Sequence, residues 1–181
     1  MATGQFNVLG MQEFGNTAVG YQALDAIVKA APVEVVRVAT VNPGKLLILF
    51  TGDVASVEAG LTAGNRVTDS LLLDQLFIPN VHWSVVQALT GAATDVKWDS
   101  VGIVDVATIT AGVEAGDRAA KEAEVRVVQI RFDDAMGGRS SVRFSGSLHE
   151  VEAAMDVVER FLSERDLLVR HVIIPNPHPD I

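Results

Sequence analysis

The sequence predicts an α+β protein made of two tandem modules, each ordered strand, helix, strand, strand, helix, strand (βαββαβ). Three observations predict it: a repeat spanning almost the whole chain, a glycine turn recurring at the same place in each copy, and apolar spacing that switches between strand and helix periods. The repeat runs residue by residue. Gly10, Asp25, Lys29, Ala31 and Val33 return as Gly102, Asp117, Lys121, Ala123 and Val125, each 92 positions on. Past the first turn the offset is 94, pairing Gly44 with Gly138, Lys45 with Arg139, Gly52 with Gly146 and Val57-Glu58-Ala59 with Val151-Glu152-Ala153. Near the end it is 96, and Ile78-Pro79-Asn80-Val81-His82 matches Ile174-Pro175-Asn176-Pro177-His178.

In order, Asn7 to Phe14 reads as a strand and Asn16 to Ala31 as a helix with Gly20, Leu24, Ile27, Val28 and Ala31 on one face, closed by Pro32. Val33 to Val41 and Leu46 to Phe50 flank the turn Asn42-Pro43-Gly44 as a hairpin. Asp53 caps a helix running to Arg66 with Val54, Val57 and Leu61 inward, and Leu71 to Ile78 is a further strand. Val81 to Leu89 reads as a short extra helix, and Thr90 to Asp95 is small and polar enough for a linker. In the second copy the turn is Ala135-Met136-Gly137-Gly138-Arg139. Ser147 to Glu150 has the pattern of a capping box, with Leu148, Val151, Val158 and Leu162 inward. The expected division is a first module at 7–90, a linker at 91–99 and a second module at 100–181. A module of about 90 residues buries only somewhat more than 60% of its unfolded-chain surface, so packing of the copies or oligomerisation is expected to add to it.

Composition narrows the chemistry. With 181 residues, 49% apolar and 20% charged, the chain has the profile of a globular protein. No apolar run reaches the roughly 18 residues of a membrane span, and the first residues lack a basic or apolar leader, so the expected address is the cytoplasm. A net charge of −9 without a basic cluster argues against nucleic acid or an anionic membrane as partner. The absence of cysteine excludes disulfides, a cysteine nucleophile, Cys-ligated zinc and all-cysteine iron–sulfur sites within the chain. His82 and His178 are equivalent positions in separate copies and lack the close spacing of metal ligands, so no metal is expected. Asp25/Asp117 and Glu58/Glu152 are duplicated helix carboxylates, whereas acid–base catalysis needs two groups in different environments. Pro43-Gly44-Lys45 lacks the spacing of a phosphate loop. With no nucleophile–base arrangement either, no catalytic residue is assigned and an enzyme is not expected. Trp98 is expected to pack over the junction.

Four marks recur in order in both copies. They are Asp-x-x-x-Lys (Asp25 to Lys29, Asp117 to Lys121), the Pro-Gly-Lys and Gly-Gly-Arg turns, the helix starts Thr51-Gly-Asp-Val and Ser145-Gly-Ser-Leu, and the Ile-Pro-Asn-x-His ends. In these the chain resembles the tandem-domain shell proteins of bacterial microcompartments, nearest the single-layer type of propanediol-utilising compartments. The resemblance implies ferredoxin-like modules, with three chains closing into a pseudohexameric disc that tiles with other shell proteins into the compartment shell. It implies that the turns meet on the axis as a pore for small polar metabolites, lined by Asn42, Pro43, Gly44, Asp133, Asp134, Ala135, Met136 and Gly137. The amide of Asn42 would hydrogen-bond a passing metabolite, and the two aspartates would disfavour anions. It places Lys29, Lys121, Asn80, Asn176, His82 and His178 at edges between discs. Where many relatives carry an arginine in the final motif, this chain has Asn80 and Asn176, which leaves the lysines as the expected edge contacts. In the propanediol type a cysteine before Pro-Gly-Lys holds an iron–sulfur cluster. Asn42 stands there instead, so no cofactor is expected. Tandem βαββαβ units also build small-molecule-binding regulatory proteins, which is the alternative reading.

Overall fold

The computed structural model describes residues 7–67, 71–91, 99–132 and 136–178. Asp133, Asp134, Ala135 and Trp98 lie outside the described residues. The chain divides into two compact units, one formed by residues up to Val81 with the turn at 136–138, the other by residues from His82 to Phe132 and from Arg139 onward.

In the first unit β1 (Val8–Phe14), α1 (Thr17–Ala30), β2 (Glu34–Val41), β3 (Lys45–Thr51), α2 (Val54–Arg66) and β4 (Leu72–Pro79) follow one another, and the antiparallel sheet has the order β2-β3-β1-β4. After α3 (Trp83–Thr90), the second unit has β5 (Ser100–Val106), α4 (Ile109–Glu122), β6 (Arg126–Arg131), β7 (Ser140–Gly146), α5 (Leu148–Glu164) and β8 (Leu168–Pro175). Its sheet, β6-β7-β5-β8, repeats the topology of the first. The two predicted βαββαβ modules are therefore present.

Side chains fix the helix starts. Asn16 accepts from Val19 N at 2.9 Å, Asp53 from Ser56 N at 2.7 Å, Thr108 from Ala111 N at 3.2 Å and Ser147 from Glu150 N at 3.4 Å, each satisfying an amide that the helix leaves open. The expected capping box is half formed, because the Glu150 carboxylate accepts from Glu124 N at 2.8 Å, which ties α5 to the strand entry before β6. Three residues expected inward are exposed: Val28, Val54 and Leu148. Val54 and Leu148 are the first residues of their helices, ahead of the buried face. Val28 is one step, about 100°, past the stripe of Gly20, Ala23 and Ile27. Leu24 packs at the margin of the core, and Ala31 is an extended C-cap.

The first core gathers Val8, Phe14, Ile27, Leu46, Ile48, Phe50 and Val57 on the helix side of the sheet. Gly10 makes room for it, since a Cβ there would lie 2.8 Å from the Phe50 ring and 2.7 Å from Val57. Gly102 does the same in the second copy, where a Cβ would lie 2.5 Å from the Phe144 ring. The repeated spacing of these glycines therefore records a phenylalanine ring packed close against the same strand in each copy. Helix α3 packs within the second unit. Ser84 Oγ accepts from Val127 N at 3.2 Å, Val85 is fully buried, and the Arg126 guanidinium covers the exposed Trp83 ring at 4.7 Å.

Candidate functional site at the paired turns

The hairpin β2–β3 ends in a tight turn closed by Gly44 N donating to Val41 O at 3.0 Å. The Asn42–Pro43 peptide is cis, and Gly44 has φ of 106°, a conformation that favours glycine. Asn42 and Pro43 are exposed and Gly44 is half-buried. The second turn reaches the same unit: Gly137 and Gly138 have φ of 60° and 78°, Gly137 is exposed, Met136 is half-buried and Gly138 is buried.

Lys45 joins them. Its Nζ donates to Gly138 O at 3.1 Å and pairs with Glu13 Oε1 at 2.8 Å. Glu13 is completely buried at the end of β1, whereas Lys45 keeps 18% of its side chain exposed. An ammonium held between a buried carboxylate and a carbonyl fixes the position of the turn it reaches, because releasing it would leave Glu13 without its partner cation. A Cβ on Gly138 would come within 2.7 Å of Asn42 O and 3.0 Å of Lys45 Nζ, so only glycine allows this approach. The turns thus bring Asn42, Pro43 and Gly44 beside Met136, Gly137 and Gly138. Sequence reasoning placed Lys45 in the turn but missed its link to Glu13. A lone carboxylate near the end of β1, equivalent to Asp105 at offset 92, was the available signal.

The candidate edge residues fall in unlike settings. Lys29 Nζ pairs with Asp25 Oδ2 at 2.6 Å, and both are largely exposed, at 72% and 62%. Lys121 pairs with Asp117 at the same 2.6 Å, but Asp117 is only 6% exposed, and its other oxygen accepts from His82 N at 2.8 Å. His82 Nδ1 lies 2.8 Å from Ser84 Oγ and caps α3. Burial holds the His82 pKa below its usual value, Asp117 pulling it up and Lys121 down. Asn80 and Asn176 adopt left-handed φ of 56° and 45° after their strands, and His178 is exposed. No group of three or more metal-ligating side chains gathers among the described residues.

Two copies of one sheet topology, with their glycine turns joined through a lysine, place the chain among proteins built from a duplicated βαββαβ module. The chain belongs to the BMC domain family, which it matches twice, at residues 8–81 and 100–177. It is similar to the bacterial microcompartment shell protein PduT of Citrobacter freundii, at 34% identity over 94% of this chain and 92% of that one. The carboxysome shell protein CcmK2 of Synechocystis is 35% identical over 41% of this chain and 76% of its own length. Among solved structures, a microcompartment protein from Desulfitobacterium hafniense DCB superposes with a TM-score of 0.86 at 35% identity, covering 97% of each chain. A double-ringed trimeric shell protein, MSM0271, shares the fold at a TM-score of 0.66 and 18% identity, over 86% of this chain and 81% of that one. The chain is thus a tandem-domain microcompartment shell protein, and none of its described helices is long and apolar enough to cross a membrane.

Proposed function

We propose that three copies of this chain close into a pseudohexameric disc that tiles with other shell proteins and carries an axial pore for small polar metabolites. The observation that carries this reading is the pairing of the two turns through Lys45, since an element joined in twos within one chain forms a ring of six from three chains. Asn42, Pro43, Gly44, Met136 and Gly137 line the rim, with Asp133, Asp134 and Ala135 adjoining in sequence. Without cysteine the rim offers no thiolate to an iron–sulfur cluster, and its selectivity rests on amides, carbonyls and carboxylates. Lys29 and Lys121 contact neighbouring discs, flanked by Asn80, His82, Asn176 and His178. The role is structural, without catalysis.

Electron microscopy and the solution mass test it together. A mass of three chains, and sheets or tubes on concentration, are expected; a monomer that never forms sheets refutes the reading. Replacing Lys29 and Lys121 together should weaken tiling and leave the trimer intact, and unchanged sheets would remove their edge role.

A further inference from the structure

The two turns are equivalent, yet their glycines meet different surroundings. Around Gly138 a Cβ would collide with Asn42 O and the Lys45 side chain, whereas at Gly44 it would meet nothing within 4 Å. Both glycines have positive φ, and Gly44 corresponds to Gly138 at offset 94. The residues packed on Gly138 have counterparts too: Met136 answers to Asn42, and Arg139 to Lys45. Arg139 is exposed. The carboxylate that anchors Lys45 is Glu13, and its counterpart is Asp105 at the matching register: Glu13 lies opposite Leu47 in β3, and Asp105 opposite Ser141 in β7. Between the copies the carboxylate is one methylene shorter and the cation longer, so Glu13–Lys45 and Asp105–Arg139 have similar combined reach.

We propose that Arg139 is the between-chain counterpart of Lys45: anchored by Asp105, it donates to the backbone carbonyl of Gly44 of the partner subunit. Met136 then lies against that glycine as Asn42 lies against Gly138. The contact is head to tail, and three repetitions close it, giving a rim in which cation-to-carbonyl contacts within chains (Lys45) alternate with contacts between chains (Arg139). Arg139 thereby becomes a residue that specifies assembly. The proposal rests on the trimer reading above and assigns one of its interfaces.

Sedimentation equilibrium of the full chain over a concentration series tests it, using wild type, Arg139→Met, Arg139→Lys and Lys45→Met. Arg139→Met should raise the concentration at half-assembly by about tenfold or more, the loss of one charge-assisted hydrogen bond per interface, and flatten the salt dependence of assembly. Its thermal unfolding as a dilute monomer should match wild type. Arg139→Lys should recover most of the association, and Lys45→Met should instead lower the unfolding temperature of the monomer. A wild-type trimer that Arg139→Met forms at the same concentration overturns the Arg139 assignment alone. Wild type that stays monomeric overturns the trimer reading, and this proposal with it.

Discussion

The two modules share a topology and a sequence pattern, but each buries a different one of its duplicated charge pairs. In the first, the turn pair is interior, with Glu13 wholly buried against Lys45, while the helix pair Asp25–Lys29 lies in solvent. In the second, Asp117 is interior beneath Lys121 and α3, while Arg139, the counterpart of Lys45, is exposed. An exposed ion pair contributes at most about 1 kcal/mol, whereas removing one partner of a buried pair costs several times as much. The lesson is that a duplicated residue keeps its place in the fold without keeping its energetic weight.

The sharpest way to break this comparison is at the turns. Lys45→Met should destabilise the chain by about 3 kcal/mol because it removes the cation held against the buried Glu13 carboxylate, and Arg139→Met by less than about 0.5 kcal/mol in the monomer. Equal losses in urea unfolding would show that the two environments do not differ. Where the modules have not diverged, equal effects are expected. Gly10→Ala and Gly102→Ala each push a methyl into an aromatic ring and should each cost about 2 kcal/mol by the same measurement. Next come the helix pairs. Asp117→Asn weakens the hold on both His82 N and Lys121 and should lower stability by about 1–2 kcal/mol, whereas Asp25→Asn should stay within about 0.5 kcal/mol.

The smallest effect is a pH dependence confined to the second unit. His82 titrates below its usual value of 6.5 chiefly because it is partly buried. The unfolded chain therefore binds this proton first, so the stabilisation from neutral His82 is complete above 6.5 and is lost as pH falls through the folded value. Melting temperatures from pH 7.5 downward should show a shallow decline that His82→Gln flattens; an unchanged slope would assign the decline to other groups.

Much of the fold was legible because the repeat supplied each element twice. Gly10 and Gly102 aligned the two copies, Asp53 and Ser147 marked the helix starts, and the glycine turns the hairpin ends. Burial was less legible, since periodicity gives a face but not where that face begins, which is why Val54 and Leu148 were expected inward. The docking of α3 in the second unit could not be read from Trp83 to Thr90, because its anchors, Asp117 and Val127, are distant in sequence. Of the candidate site, the turns were visible and the clamp was not. Equivalence by offset says which residues correspond, and says nothing of which carboxylate is sealed from water.

The left-handed asparagines at the strand ends have a consequence for mutational tolerance. At φ of 56° and 45°, Asn80 and Asn176 sit where a side chain branched at Cβ clashes with its own backbone while glycine fits freely. In a saturation screen these positions should therefore accept glycine and aspartate and reject valine and isoleucine. That profile is set by backbone shape, and it would hold whatever the side chains touch on a neighbouring disc.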